Sequence, residues 1–260
     1  MRSISRVADV SFNTVLKMVV TAGQACAAFH DTNVKGIASK RVQCDEIWSF
    51  CYAKQKQAVH LTNPNAGDVW TWTAIDADTK LIISYMVGGR DSDSAILLMD
   101  DLRGRLENRV QLTTDGHKAY LEAVEGAFGG NIDYAQLIKL YGPSSESAKG
   151  KYSPAECNGA IKTPVSGKPD KDHISTSYVE RANLSIRMGM RRFTRLTNAF
   201  SKKMENHCYA LALYFMFYNF VRIHKTLKVT PAMAAGVTNK LWEMKDLANM
   251  IDEYHAKDSK

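Results

Sequence analysis

The chain has 260 residues, 45% of them hydrophobic and 23% charged, with 34 Lys and Arg against 27 Asp and Glu for a net charge of +7. That balance suits a globular protein with one sizeable core and excludes a disordered chain; the basic excess favours a polyanionic partner, because neutralising phosphates releases counterions. The five cysteines (Cys26, Cys44, Cys51, Cys157, Cys208) are odd in number and have no pair at two-residue spacing, so they read as reduced thiols, with neither a disulfide framework nor a zinc site expected.

In chain order, Ser3 to Val10 and Asn13 to Ala22 carry two short helical patterns joined across Ser11, the outline of a helix-turn-helix over residues 1–30. The same stretch superficially imitates an export signal, but Asn13 and Lys17 interrupt the apolar run, so a cytoplasmic chain is expected. Arg41 to Tyr52 (RVQCDEIWSFCY) is rich in β-branched and aromatic residues and predicts a strand. Val69 to Ile75 and Leu81 to Val87 predict two more, flanking a hairpin turn at Asp76 to Lys80. An amphipathic helix follows over Ser94 to Leu106, then a strand over Arg109 to Thr114, a helix over His117 to Phe128 and a strand over Ile132 to Leu140. Three strands, helix, strand, helix, strand is the order of an α/β domain with a mixed sheet flanked by helices.

Residues 142–172 break the pattern with four of the six prolines and read as a long loop or flap. Helices resume at about Ser177 and run through Met190, through Lys203 to Val221, and through Asn239 to His255, with 226–260 as a C-terminal helical extension. The longest apolar run, Tyr209 to Phe220, is too short to span a bilayer and contains Asn219, so no membrane association is expected.

Three acids stand in unusual places. Asp45 lies inside an apolar strand, Asp115 ends a strand, and Glu180 opens a helix in a strongly basic stretch: from His173 to Lys228 there are ten Lys or Arg against two acids. A carboxylate inside a strand is costly to bury unless a cation compensates it, and a divalent metal would do so. Glu46 adjoins Asp45, and strand geometry sends the two side chains to opposite faces, so at most one of them belongs in such a site; local sequence leaves open which. Asp76, Asp78, Asp91 and Asp93 read as turn or helix-cap residues. On the helix, Glu180, Asn183, Leu184 and Arg187 share a face.

The run STSYVERANLSIRMGMRRFTRLTNAFSKK, followed by YNFVRIHKTLKVTPAMAAG, closely resembles transposases of the bacterial insertion-sequence-one type in the DDE superfamily. CDEIWSF (Cys44 to Phe50) and TTDGHKAY (Thr113 to Tyr120) resemble that family's two upstream acidic motifs, so the likeness covers about Arg41 to Trp242. The resemblance implies a ribonuclease-H-like catalytic domain over residues 41–225, with Asp45, Asp115 and Glu180 as catalytic residues holding two Mg²⁺ ions, for which Mn²⁺ can substitute. It implies metal-dependent cleavage of an element's ends and their transfer into target DNA. It places DNA contacts at Arg181, Arg187, Arg191, Arg192, Arg195, Lys202, Lys203, Arg222, His224 and Lys225, with a helix-packing role for His224 equally open. The implied partners are terminal inverted repeats, target DNA and a second copy of the chain, in a nucleoid-associated bacterial protein. Related proteins commonly carry a zinc-binding segment before the helix-turn-helix, and no such cysteine cluster precedes it here. End recognition then rests on residues 1–30 and the flap, or the chain is a shortened product. Two other readings stay open: a DNA-binding regulator or remnant that no longer cuts, and a related nuclease or integrase.

Overall fold

The computed structural model describes residues 1–142 and 157–258. Six strands form one mixed sheet: β1 (Arg41–Cys51), β2 (Gly67–Asp76), β3 (Ile82–Gly88), β4 (Gln111–Asp115), β5 (Asp133–Tyr141) and β6 (Cys157–Ser166), in the order β3-β2-β1-β4-β5-β6. β1 pairs antiparallel with β2 and parallel with β4, β4 pairs parallel with β5, and the two edge strands β3 and β6 run antiparallel to their neighbours. Parallel neighbours need crossovers. Helix α4 (Ser92–Arg105) carries the chain from β3 to β4, and α5 (Ala119–Phe128) links β4 to β5; α3 is the short turn Gln55–Ala58. The result is an α/β domain whose mixed sheet is flanked by helices, compatible with a ribonuclease-H-like arrangement.

Local chemistry fixes these elements where expected. The β2–β3 turn is built by Asp76, whose Oδ1 accepts from the backbone N–H groups of Asp78 and Thr79 at 2.7 and 2.8 Å. Asp91 caps α4 by accepting from Ser94 N–H at 2.9 Å.

The two faces of the sheet carry separate apolar clusters. On one, Val42, Cys44, Trp72, Leu112 and Tyr134 pack with Leu98, Leu102 and Tyr120 of α4 and α5. On the other, Ile47, Ile75 and Ile82 pack with Val179, Ala182 and Ile186 of α6 (Ser177–Gly189) and with Leu211 and Phe215 of α7 (Met204–Met216). Two C-terminal helices follow, the short α8 (Pro231–Ala234) and the 15-residue α9 (Met244–Asp258).

Two expectations change. First, the loop expected over 142–172 contains a strand. β6 pairs with β5 from Tyr134↔Ser166 to Tyr141↔Cys157, and its two exposed faces gave it no alternating signal to read. Residues 143–156 of that segment lie outside the described part.

Second, α1 (Arg2–Val7) has no buried residue, whereas α2 (Phe12–Asn33) extends far beyond Ala22. Its second half buries Ala25, Cys26 and His30, and Cys26 belongs to the main core. Residues 1–30 therefore do not form a body apart from the α/β domain. Gly23 permits this packing: a Cβ there would lie 2.3 Å from the Tyr209 Cβ on α7. Ser11 caps α2 as the expected junction, accepting from Thr14 N–H at 3.0 Å.

The helix expected over Lys203 to Val221 is present: α7 passes at Met216 into a π-helix over Phe217–Val221, where Asn219 is buried and clasps both backbone groups of Ile82 at 3.0 Å. Among the described residues no helix is long and apolar enough to cross a membrane.

Candidate active site

The β1–β4 ladder pairs Arg41↔Gln111, Val42↔Leu112 and Gln43↔Thr113 and goes no further. Just beyond its end stand Asp45 on β1 and Asp115, the last residue of β4. Alternation puts Gln43, Asp45 and Ile47 on the face that α6 covers. Gln43 anchors that helix: its Oε1 accepts from Tyr178 and Val179 N–H at 2.8 and 3.2 Å, capping the N-terminus of α6 in place of a local side chain. One turn further along, Asn183 Nδ2 donates to Asp45 Oδ2 at 2.8 Å. Two residues of β1 at period-two spacing thus fix α6, and with it Glu180, against the strand.

Asp45, Glu46 and Asp115 each offer a carboxylate oxygen, and the three oxygens lie within 4.8 Å of one another. The expectation that at most one of Asp45 and Glu46 belongs in a metal site rests on alternation alone, which does not show that both carboxylates approach Asp115. The two do leave opposite faces: Asp45 meets α6, while Glu46 accepts from Arg90 Nε at 2.8 Å and from the Tyr120 hydroxyl of α5 at 3.2 Å. Asp115 lies where the strands part, at the edge of both layers, and so adjoins both. Its Oδ1 accepts from His117 N–H at 2.9 Å, which turns the chain into α5.

Burial is the main force on the pair from β1. It raises the Asp45 pKa from 3.8 to about 7, helped by repulsion from Glu46, Asp115 and Glu180. Glu46 is pushed up as well, by burial and by Asp115, with Arg90 opposing.

Glu180 is not one of the three clustered oxygens. Lys139 of β5 holds both of its oxygens at 2.5 Å, and Thr176 Oγ1 donates to Oε1 at 2.6 Å. Its charge still reaches Asp45. Sequence reasoning missed Lys139, although it shares the strand phase of Ala135 and Leu137, which pack with Ile174 just before α6.

The residues present fit a hard divalent cation. The donor set is carboxylate oxygen, and the Oδ1 of buried Asn183 and the Oγ1 of buried Thr73, directly opposite Asp45 on β2, have no hydrogen-bond partner among the described residues.

The basic residues divide into two groups. Arg181, Arg187, Arg191, Arg195, Lys202, Lys203, Arg222 and Lys225 are exposed. Arg192 is not free in this way: its Nη1 donates to Ser201 Oγ at 2.7 Å and to the Asn206 carbonyl at 3.0 Å, tying the 191–201 segment to α7. His224 is partly buried, and burial together with Lys80 and Arg222 lowers its pKa, so it presents a neutral imidazole. Past the end of α6, a groove of about 920 Å³ lies between the N-terminal helices and this segment, with Phe12, Leu16 and Phe200 among its walls and Arg2, Arg191 and Lys202 beside them. Glu180 and Gly189, which lines the groove, are nine residues apart on α6, roughly 13 Å along its axis.

No protein-family model matches the chain, and no curated protein matches it significantly.

Proposed function

We propose that the chain is a DDE-type transposase, a metal-dependent phosphoryl transferase acting on DNA. One observation carries the reading: Asp45 and Asp115 converge at the end of the β1–β4 ladder, beside a helix that presents Glu180, in a chain of net charge +7. DNA binding alone gives no reason to gather carboxylates within a basic surface.

Asp45, Asp115 and Glu180 would hold two Mg²⁺ ions. Such ions supply Lewis-acid activation of the attacking oxygen and charge stabilisation of the leaving one. The chain's own residues do the rest. Gln43 and Asn183 set α6 and Asp45 in fixed relation. Arg187, about 10 Å beyond Glu180 along α6, takes a phosphate farther along the same strand. Arg191, Arg195, Lys202 and Lys203 continue the phosphate track toward the groove at the N-terminal helices. Glu46 is a structural acid, held by Arg90 and Tyr120. Terminal inverted repeats, target DNA and a second copy of the chain on the paired end are the partners this reaction requires.

The test is to incubate the full chain with Mg²⁺ and the DNA that flanks its gene, where this reading expects short inverted repeats. Nicked ends and joined products are expected, both absent with Asp115→Asn. Joining that survives Asp115→Asn would reject the metal site, binding without cleavage would favour a regulator, and cleavage without joining would favour a nuclease.

A further inference from the structure

The proposed chemistry gives Lys139 no role, yet it contacts a proposed metal ligand. Resting on the metal-dependent reading above, we propose that Glu180 exchanges Lys139 for a divalent cation, the released ammonium then taking a phosphate oxygen of the bound DNA.

Three observations support the exchange. Lys139 holds both oxygens of Glu180, with Thr176 as a further donor to one of them, so Glu180 is occupied while the oxygens of Asp45, Glu46 and Asp115 cluster without it. The charge count also leaves room for a divalent ion: four carboxylates (Asp45, Glu46, Asp115, Glu180) face two paired cations, Arg90 and Lys139. Finally, the pair is open to solvent, with side chains 31% and 39% exposed. An ion pair of that exposure is weak enough to break, and its ammonium sits where DNA would have access. Arg90 differs, because its partner Glu46 is 1% exposed and cannot leave.

The exchange predicts two effects of opposite sign when Lys139 loses its charge. Mn²⁺ binding to the DNA-free chain tightens, because a competitor for Glu180 has gone, by roughly two- to fivefold for a pair of this exposure. DNA cleavage at saturating metal slows by roughly tenfold, because a phosphate contact made during the reaction has gone. A lysine that merely holds Glu180 in place would weaken both.

The experiment measures Mn²⁺ affinity of the full chain by calorimetry or by the free-ion paramagnetic signal, for the unsubstituted protein, Lys139→Gln, Lys139→Arg and Asp115→Asn, with circular dichroism to verify folding. Tighter Mn²⁺ binding in Lys139→Gln, with slower cleavage restored by Lys139→Arg, supports the exchange. Unchanged or weaker Mn²⁺ binding in Lys139→Gln, while the unsubstituted chain binds and Asp115→Asn does not, overturns it and leaves the transposase reading standing. Failure of the unsubstituted chain to bind Mn²⁺ overturns both.

Discussion

Asp45 and Glu46 are neighbours in sequence but live in two different chemical layers. On the α4–α5 side, the buried polar groups among the described residues are satisfied. Glu46 has Arg90 and Tyr120, and Arg105 joins Asp101 and Asp31 while donating to the Val34 carbonyl. On the α6 side, buried groups are left over: Thr71 Oγ1, Thr73 Oγ1, Asn183 Oδ1 and His207 Nδ1 have no hydrogen-bond partner among the described residues. Thr71 and Thr73 lie opposite Ile47 and Asp45 on β2, so they point to the same face as the proposed site. Each unsatisfied buried group costs about 1–3 kcal/mol. The first layer is arranged for stability, and the second carries a polar surplus that a bound cation and its water would relieve.

The sharpest way to break that contrast is to neutralise the two acids separately. Asp45→Asn is expected to lower Mg²⁺-dependent DNA cleavage by roughly a hundredfold or more, as for loss of a group that stabilises charge in the transition state. Glu46→Gln keeps the shape and a hydrogen-bond acceptor for Arg90 and should cost less than about tenfold in cleavage. Its main effect should be on stability: burial and Asp115 outweigh the bond from Arg90 and raise the Glu46 pKa, so removing the charge should hold or raise the melting temperature near neutral pH. Equal losses of activity would move Glu46 from the stabilising layer into the metal site.

A second, smaller effect distinguishes the layers without DNA. The folded-state pKa of Asp45 lies near 7, above its ordinary value of 3.8, and Glu46 shifts in the same direction. Between those values the folded chain holds protons that the unfolded chain has released. Their contribution to the stability of the metal-free protein therefore falls as pH rises from about 4 to about 7 and levels off above, whereas the buried histidines His30 and His207, with pKa values lowered to about 4, contribute in the opposite direction. The Asp45 share is on the order of a few kcal/mol. Chemical denaturation in chelator at pH 5 and pH 8 should isolate the Asp45 share as a difference: Asp45→Asn should be more stable than the unsubstituted chain at pH 8, by more than at pH 5. A slope untouched by Asp45→Asn would place the burden on Glu46.

Much of this was legible in the sequence because it was local. The five strands from β1 to β5, the turn at Asp76 and the cap at Asp91 follow from alternation and side-chain chemistry within a few residues. The three acids were visible as charges in the wrong company. What was not legible depends on where strands end. Period-two alternation separated Asp45 from Glu46 correctly, yet it could not show that the ladder stops at Gln43↔Thr113 and leaves Asp115 adjoining both. β6 hid because an edge strand exposed on both faces, with Gly159 and Pro164 inside it, has no alternation. The pairing of Lys139 with Glu180 spans 41 residues and two elements, and only the fold brings it about.

The smallest predicted effect concerns two adjacent arginines that sequence treats alike. Arg191 is exposed beside the groove, whereas Arg192 is turned inward onto Ser201 and the Asn206 carbonyl. Arg191→Ala should leave the melting temperature unchanged, weaken DNA binding across sequences and reduce the salt dependence of binding by about one phosphate contact. Arg192→Ala removes both hydrogen bonds from Nη1 and uncovers the Asn206 carbonyl; a loss of about 1–2 kcal/mol in unfolding free energy is expected. DNA affinity would then fall only through the disordering of the 191–201 segment, with the salt slope retained. A salt slope that drops for Arg192→Ala as it does for Arg191→Ala would mean that Arg192 leaves its pocket to meet phosphate, and the inward contacts to Ser201 and Asn206 would belong to the DNA-free state alone.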